Sequence, residues 1–538
     1  MHRAIAATPP VPHLACWIPL RSKNCNGPNQ LRTRSLISIC SVSDWRAALL
    51  MLLLCGPIIT TRGWAGWLSE QSELVLNNLA EGQPAVIRGS ALVGKGMAHS
   101  SGMGQSSGTF SYIGSPLINT LVPPNATTPI ASDFFGMTIH HTATQFPPFP
   151  VSVFRFWDVV AWPQAEPSSG QFAWTRIDET TGKHKKSGVN DFLFTFGSVP
   201  AWASSNPNEP CPGGDGTGSC AAPDLTAFDD FAKHLIQRYC GVIKYYETWN
   251  EPNGAGYWKG NNTQLLTIAQ HLFRIAKDPT NCGCTNGACS PNGGANPNKV
   301  LLPSISRINQ PNLNWLDSYL SAAGPRYAYA DVAAFHGYGS PTDAEQIANQ
   351  VQQLKKVLAK HGLSNLPLWN TEGNWGSVPA VGPSQASWLM RYHMAQVAVG
   401  VSRVIWYAFD NCGWGVLWEA PWCKDPQMPV GQLTDPGRAY AVVEEWLVGA
   451  NLTGCQVYKN GLWACELRRT GNYDAWMVWS SSGEAISIPI PENAGLTVFR
   501  DWQDKMNKLP SEITATQMPV LLESQDLHRP QDPSSRKK

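Results

Sequence analysis

The chain is expected to fold as a (β/α)8 barrel followed by a small β-sandwich. Two textures predict this. From residue 134 to about 448, short apolar runs of four to eight residues alternate with stretches of helical periodicity. After Gly449 the helices stop, and short strand-like runs follow one another between Gly, Asn and Pro turns. Near-continuous apolar strands separated by helices belong to a parallel sheet covered on both faces. Eight such units over this length suit a barrel with insertions. A doubly wound open sheet is the structural alternative. It would normally carry a glycine-rich phosphate turn after its first strand, and Phe135-Gly136-Met137-Thr138 is not one.

In chain order the strand candidates are 134–140, 153–157, 191–196, 244–249, 300–304, 331–335, 367–370 and 403–409. Helices are expected between them, among others over 224–239, 263–276, 344–361, 384–400 and 436–447. Asp224 stands where an N-cap belongs, and Thr342-Asp343-Ala344-Glu345 offers a capping pattern. In the C-terminal part, strands are expected over 464–468, 474–480, 485–490, 497–500 and 518–522. The domain boundaries that follow are a tail with a signal-peptide-like segment (1–66), a linker or entry segment (67–130), the barrel (131–448), the sandwich (449–525) and a polar tail (526–538).

The 538 residues carry a formal net charge of +1, so no polyanionic partner such as nucleic acid is indicated. The chain contains 23 tryptophans. Their flat apolar faces suit the C–H faces of sugars as well as a core. Residues 47–59 form an apolar run of 13, preceded by Arg46. That length matches the apolar region of a signal peptide and is short for a span of ~20 residues. Export without a permanent membrane span is therefore expected, with anchoring by an uncleaved N-terminal segment as a variant. Residues 68–78 could form a short helix, and 94–115 is rich in Gly and Ser.

Fourteen cysteines in an exported chain read as disulfides. Cys211–Cys220, Cys412–Cys423 and Cys455–Cys465 would each close a short loop. Cys240, Cys282, Cys284 and Cys289 could form two more in unknown order. A metal site at Cys282-x-Cys284-x4-Cys289 is the alternative, in a Gly/Asn-rich loop without a nearby histidine.

The chemistry centres on two glutamates. Trp249-Asn250-Glu251-Pro252-Asn253 closes one strand candidate, and Trp369-Asn370-Thr371-Glu372 closes another 121 residues later. Strand ends of a barrel share one face, so the two carboxyls would meet there. Such a pair is the minimum equipment for cleaving a glycosidic bond, with retention at ~5–5.5 Å separation and inversion at ~6.5–9.5 Å. Taken alone, Asn-Glu-Pro is also a common helix-start turn; the matching second glutamate is what gives it weight. The Gly-x-Ser-x-Gly match Gly104-Gln105-Ser106-Ser107-Gly108 lies in the Gly/Ser-rich stretch rather than between a strand and a helix candidate, and no His-Glu-x-x-His pair occurs, so neither a serine nor a metal hydrolase is indicated.

These two strand ends resemble those of clan A glycoside hydrolases, the retaining barrel enzymes. Three further stretches are similar to glycoside hydrolase family 39 and its relatives. They are Phe154-Arg155-Phe156-Trp157-Asp158, Trp162-x3-Glu166-Pro167-x2-Gly170-x-Phe172-x-Trp174 and Pro200-Ala201-Trp202. Arg438-Ala439-Tyr440-x5-Trp446-Leu447-x-Gly449-Ala450 is similar to the helix entering that group's sandwich. The resemblance implies Glu251 as acid/base and Glu372 as nucleophile. It implies Asn250 as the ligand of the sugar 2-hydroxyl and Arg155 as the group that keeps Glu372 ionised. His336 and Tyr338 would sit at the strand-6 position, with Tyr338 on the nucleophile, and Trp406 would floor the cleavage subsite. His140, His141 and Trp202 are further candidate sugar contacts. No cofactor or metal is implied, and the partner is an oligosaccharide or polysaccharide. A carbohydrate-binding protein on a catalytically dead barrel is the competing expectation.

Overall fold

The structure, a computed structural model, describes residues 112–282, 296–324, 329–376, 382–423 and 431–524. The signal-peptide-like segment, the helix expected at 68–78, most of the Gly/Ser-rich stretch, Cys284, Cys289 and the polar tail lie outside the described residues.

Eight parallel strands form the barrel: β2 (Phe135–Met137), β3 (Val153–Phe156), β4 (Asp191–Thr195), β5 (Ile243–Glu247), β6 (Lys299–Leu301), β7 (Ala333–His336), β8 (Leu368–Gly373) and β9 (Arg403–Trp406). They hydrogen-bond in the order β6-β5-β4-β3-β2-β9-β8-β7. Single parallel bridges Leu301–Val332 and Ile305–Phe335 join the two ends and close the ring. Each falls on a strand expected from the sequence; six end one to three residues earlier, where the chain turns toward the barrel mouth, while β7 and β8 run past their expected ends.

Side-chain alternation divides each strand into two uses. Phe154, Phe156, Phe192, Phe194 and Tyr246 point outward and pack under the helices. Val153, Leu193, Ala334, Trp369 and Ile405 form an apolar cluster of their own, with Tyr245 against it. This is the lower layer of the lumen. Two residues further along the same strands stand Arg155, Thr195, Glu247, His336 and Thr371, all buried. The strand period thus sets a polar layer directly on an apolar plug.

Local signals start the helices. Asp224 caps Leu225–Arg238 by accepting from the Ala227 amide, and Asn261 and Gln264 form a reciprocal capping box at Asn262–Lys277. Helix Pro383–Ala398 is buried on all sides. A helix apolar or satisfied all round belongs between layers, and this one lies between barrel and sandwich. Its Ser387 Oγ donates to Gln517 O at 2.6 Å, and Arg391 Nη1 reaches Glu345 at 2.9 Å. Trp479 Nε1 of the sandwich donates to the same Glu345 at 2.6 Å.

The sandwich has a seven-stranded antiparallel sheet and a two-stranded one, β13 (Ile486–Pro489) with β16 (Glu512–Ala515). Leu462, Ala464, Trp476 and Val478 face the small sheet. Trp463, Cys465, Ala475, Met477 and Trp479 face the barrel core. One correction concerns the expected linker. Leu117–Leu121 is strand β1, paired antiparallel with β10 (Asn451–Tyr458) at the sheet's edge. Its sequence lacks the alternation of a half-buried strand because four of its five residues are exposed; backbone pairing holds it.

Disulfides join Cys211–Cys220, Cys412–Cys423 and Cys455–Cys465 as expected, and Cys240 pairs with Cys282. That last bond removes Cys282 from any metal set. Among the described residues no helix is long and apolar enough to cross a membrane.

Glu444, in helix Asp435–Leu447, is 6% exposed, and burial, reinforced by Glu445, pushes its pKa up to about 8. A folded value above the unfolded ~4.3 means stability present below that pH and lost as pH rises toward the folded value. Glu444→Gln is expected to stabilise the protein at pH 7 by on the order of 3 kcal/mol and to be neutral at pH 4. Urea unfolding at the two pH values checks this; equal shifts at both would contradict it.

Candidate active site

The carboxyl ends of the strands surround a cavity of ≈ 390 Å³ lined by Trp157, Asp158, Glu251, Tyr257, Arg307, Tyr338, Glu372, Tyr407 and Trp414, among others. Another, of ≈ 340 Å³, opens at the strands' N-terminal ends beside Asp133, Trp369 and Arg403. Its arginine is paired with Asp133 and Asp191, and that barrel face ordinarily serves stability rather than catalysis.

Four residues of the Trp249–Asn253 motif have separate tasks. Trp249 Nε1 donates to Tyr257 O at 3.0 Å and pins the following turn. Asn250 Oδ1 accepts from Arg155 Nη2 at 2.7 Å. Glu251 takes a left-handed backbone, φ 46°, rare for a residue with a side chain and found where geometry at a site requires it. Asn253 Nδ2 donates to Ser306 Oγ at 2.9 Å, and the Ser306 amide donates back to Asn253 Oδ1 at 3.0 Å, which fixes the adjoining strand end. Gly197 makes room for this motif. A Cβ there would come within 2.7 Å of Trp157 and 2.9 Å of Asn250.

In the second motif, Asn370 faces outward and donates to Tyr392 Oη at 2.7 Å and Gln396 Oε1 at 2.9 Å. Thr371 faces the lumen. Strict alternation would send Glu372 outward with Asn370, but the β8 register slips between Asn370 and Gly373. The irregularity re-aims Glu372 into the cavity, as bulges beside functional sites do.

Arg155 organises the polar layer. Its Nη1 donates to Glu372 Oε2 at 2.6 Å, while Nη2 and Nε donate to Glu247 Oε2 at 2.8 and 3.0 Å. Thr195 and Thr371 hydroxyls donate to Glu247 at 2.8 and 2.6 Å. Tyr338 Oη donates to Glu372 Oε1. His336, wholly buried, places Nδ1 2.7 Å from Glu251 Oε1 and Nε2 3.3 Å from Arg155 Nη2. Since the guanidinium only donates, the tautomer that fits carries its proton on Nδ1, toward Glu251.

Burial opposes the ionised form of Glu247, but Arg155, His336 and Thr371 outweigh it and hold its pKa below the usual range. Burial also disfavours charge on His336, yet Glu372 and Glu251 raise its pKa. For Glu372, burial wins and raises the pKa, with His336 and Arg155 pulling down and Glu251 adding to the rise. Arg155 therefore acts on Glu372 in the expected direction without carrying the balance.

One oxygen each of Glu251 and Glu372 and one nitrogen of His336 all lie within 4.8 Å of one another. Such a set could in principle hold a metal ion. The Arg155 guanidinium bonded to Glu372 stands against it, because a cation there would face a buried like charge.

The structure brings Arg155, Asn250, Glu251, His336, Tyr338 and Glu372 together. His140 reaches the cavity's margin, with Nε2 3.3 Å from Asp158 Oδ2, and His141 packs on Trp422 at 4.3 Å between ring centroids. Two candidates are placed elsewhere. Trp406 is fully buried, donates to Gly415 O at 2.6 Å and stacks on His393, so it belongs to the core rather than the cavity floor. Trp202 donates to Glu166 O at 3.1 Å and packs edge-on to Trp162, away from the lining. Residues not singled out from the sequence are Glu247, Asp158, Tyr257, Arg307 and Trp414. A glutamate inside an apolar strand was the available signal for Glu247.

No family model and no curated protein matches the chain. Solved structures do. A family 39 glycoside hydrolase from the gut symbiont Bacteroides cellulosilyticus WH2 superposes with a TM-score of 0.54 at 15% identity, over 74% of this chain and 82% of that one. A GH39 β-xylosidase from Caulobacter crescentus gives 0.51 at 16% identity, over 75% and 99%. A conserved exported protein from Bacteroides fragilis gives 0.50 at 14%, over 76% and 98%. At such identities the likeness is one of fold: this chain has the fold of family 39 glycoside hydrolase structures.

Proposed function

We propose that this protein is an exported retaining glycoside hydrolase acting on β-linked glycosides such as xylosides or glucosides. The observation that carries the reading is the pair Glu251 and Glu372 at the mouth of one cavity, with carboxyl oxygens within 4.8 Å. Nearest oxygens that close support the shorter carboxyl spacing of double displacement, ~5–5.5 Å, over the ~6.5–9.5 Å of a single displacement.

In this reading Glu251 protonates the glycosidic oxygen as the C1–O bond breaks, and a Glu372 oxygen bonds C1. A water then attacks C1, gives its proton to Glu251, and Glu372 leaves. Glu251 shares the His336 hydrogen bond throughout. Arg155 and Tyr338 each hold one oxygen of Glu372, which orients the carboxylate and leaves a lone pair for attack. With Oδ1 taken by Arg155, Asn250 presents its NH2 group for the sugar 2-hydroxyl. The solved β-xylosidase of the same fold supports a xyloside among these substrates, and the four disulfides support an oxidising, extracytoplasmic compartment.

The test is the stereochemistry of hydrolysis. Proton NMR of an aryl β-xyloside or β-glucoside digest should show the β-anomer first, with the α-anomer growing by mutarotation. First appearance of the α-anomer would refute double displacement. Binding of oligosaccharides with no hydrolysis of any would favour a non-catalytic binding protein.

A further inference from the structure

Asp158 lies two residues past the end of β3 and lines the same cavity as the two glutamates. Its backbone is left-handed, φ 65°, a conformation tolerated by Asp at a cost and kept where position matters. Two groups hold its carboxylate. Tyr407 Oη donates to Oδ2 at 2.5 Å, and His140 Nε2 lies 3.3 Å from the same oxygen. Neither contact uses Oδ1, and the side chain is 41% exposed. The anchoring network runs deeper. Asp410 accepts from the His140 amide at 2.8 Å and the His141 amide at 3.1 Å, which sets the loop carrying His140. Burial raises the Asp158 pKa, but His140, Tyr407 and Arg155 reverse this and keep it below the usual range, so the group is a carboxylate at neutral pH. The other ionisable groups in the lining are Glu251, Glu372 and Arg307, of which Glu251 carries a proton in the reading above and Glu372 is bonded to Arg155.

Resting on the glycosidase reading above, we propose that Asp158 determines substrate class: its free Oδ1 accepts hydrogen bonds from neighbouring hydroxyls of a neutral sugar, and its charge rejects uronides. An ionised acceptor makes stronger hydrogen bonds to hydroxyls than a neutral one. A substrate carboxylate would meet this anion across a short, partly desolvated gap, where like charges repel more than in water.

The test compares wild type with Asp158→Asn, which preserves shape and removes charge. Hydrolysis of 4-nitrophenyl β-D-xyloside, β-D-glucoside and β-D-glucuronide is measured alongside calorimetric titration with the methyl β-glucoside, β-xyloside and β-glucuronide. In the wild type the neutral glycosides should bind and the glucuronide should bind at least ten times more weakly. In the variant, kcat/KM for the neutral substrate should fall roughly 10- to 100-fold, chiefly through KM, and the neutral-to-uronide preference should narrow. A variant within twofold of wild type on both measures, or a wild type that prefers the glucuronide, overturns the proposal, as does failure of every methyl glycoside to bind. Selective binding that depends on Asp158 without any hydrolysis would uphold it and sink the glycosidase reading instead.

Discussion

Glu372→Gln is expected to lower kcat on aryl β-glycosides by roughly 10^4-fold or more while the unfolding transition stays in place, because a neutral amide cannot bond C1. Glu251→Ala is expected to behave differently. It removes an acid/base worth roughly 10²–10⁴-fold. Glycosides with good leaving groups need no protonation in the first step, so they should be cleaved nearly normally up to the covalent intermediate. Exogenous azide should then restore turnover by attacking that intermediate and yield a β-glycosyl azide. The contrast between the two variants is the informative result. Equal losses for all leaving groups, with no azide product from the Glu251 variant, would reverse or dissolve the assignment of roles. The geometry behind the contrast is asymmetric: Glu372 is held from both oxygens by Arg155 and Tyr338, whereas Glu251 meets His336 through one.

Arg155→Met is the second large effect. The guanidinium is fully buried and is the cation facing both Glu247 and Glu372. Removing it leaves two buried carboxyls without their counter-charge, and breaking a buried pair in this way costs about 3–5 kcal/mol. Activity should change in a defined direction as well. Arg155 lowers the pKa of Glu372, so its loss lets burial raise that pKa further. The acidic limb of the kcat/KM profile, which requires ionised Glu372, should therefore move to higher pH. Glu247 would lose the cation that keeps it ionised and should take up a proton in the fold. Chemical denaturation and a pH profile measure the two effects separately. An unmoved acidic limb in a destabilised variant would mean that Arg155 serves the fold alone.

Much of this molecule is legible as linear pattern. The apolar runs place the eight barrel strands, because a strand buried on both faces must be apolar along its length. Capping residues such as Asp224 and Asn261 announce helix starts through bonds made within three residues. The two glutamates stand out because each closes an apolar strand. Residues 117–121 were less legible: Leu117 and Ile118 point to solvent, and the partner strand begins at Asn451, far along the chain.

What the sequence determined by itself is therefore whatever depends on neighbours in the chain: the alternating elements, the turn from barrel to sandwich texture and the two glutamate-bearing strand ends. What only the tertiary structure decided depends on groups distant in sequence meeting in a medium of low dielectric. Trp406 and Trp202 have the composition of sugar platforms but are packed elsewhere, while Tyr257, Tyr407 and Trp414 supply the aromatic wall. Glu372 faces the cavity through a register slip that no periodicity encodes. The balance of charge among Arg155, Glu247, Glu251, His336 and Glu372 arises only once four strands have set them around one desolvated point, since the strength of each interaction depends on distance and burial, neither of which is written in residue order.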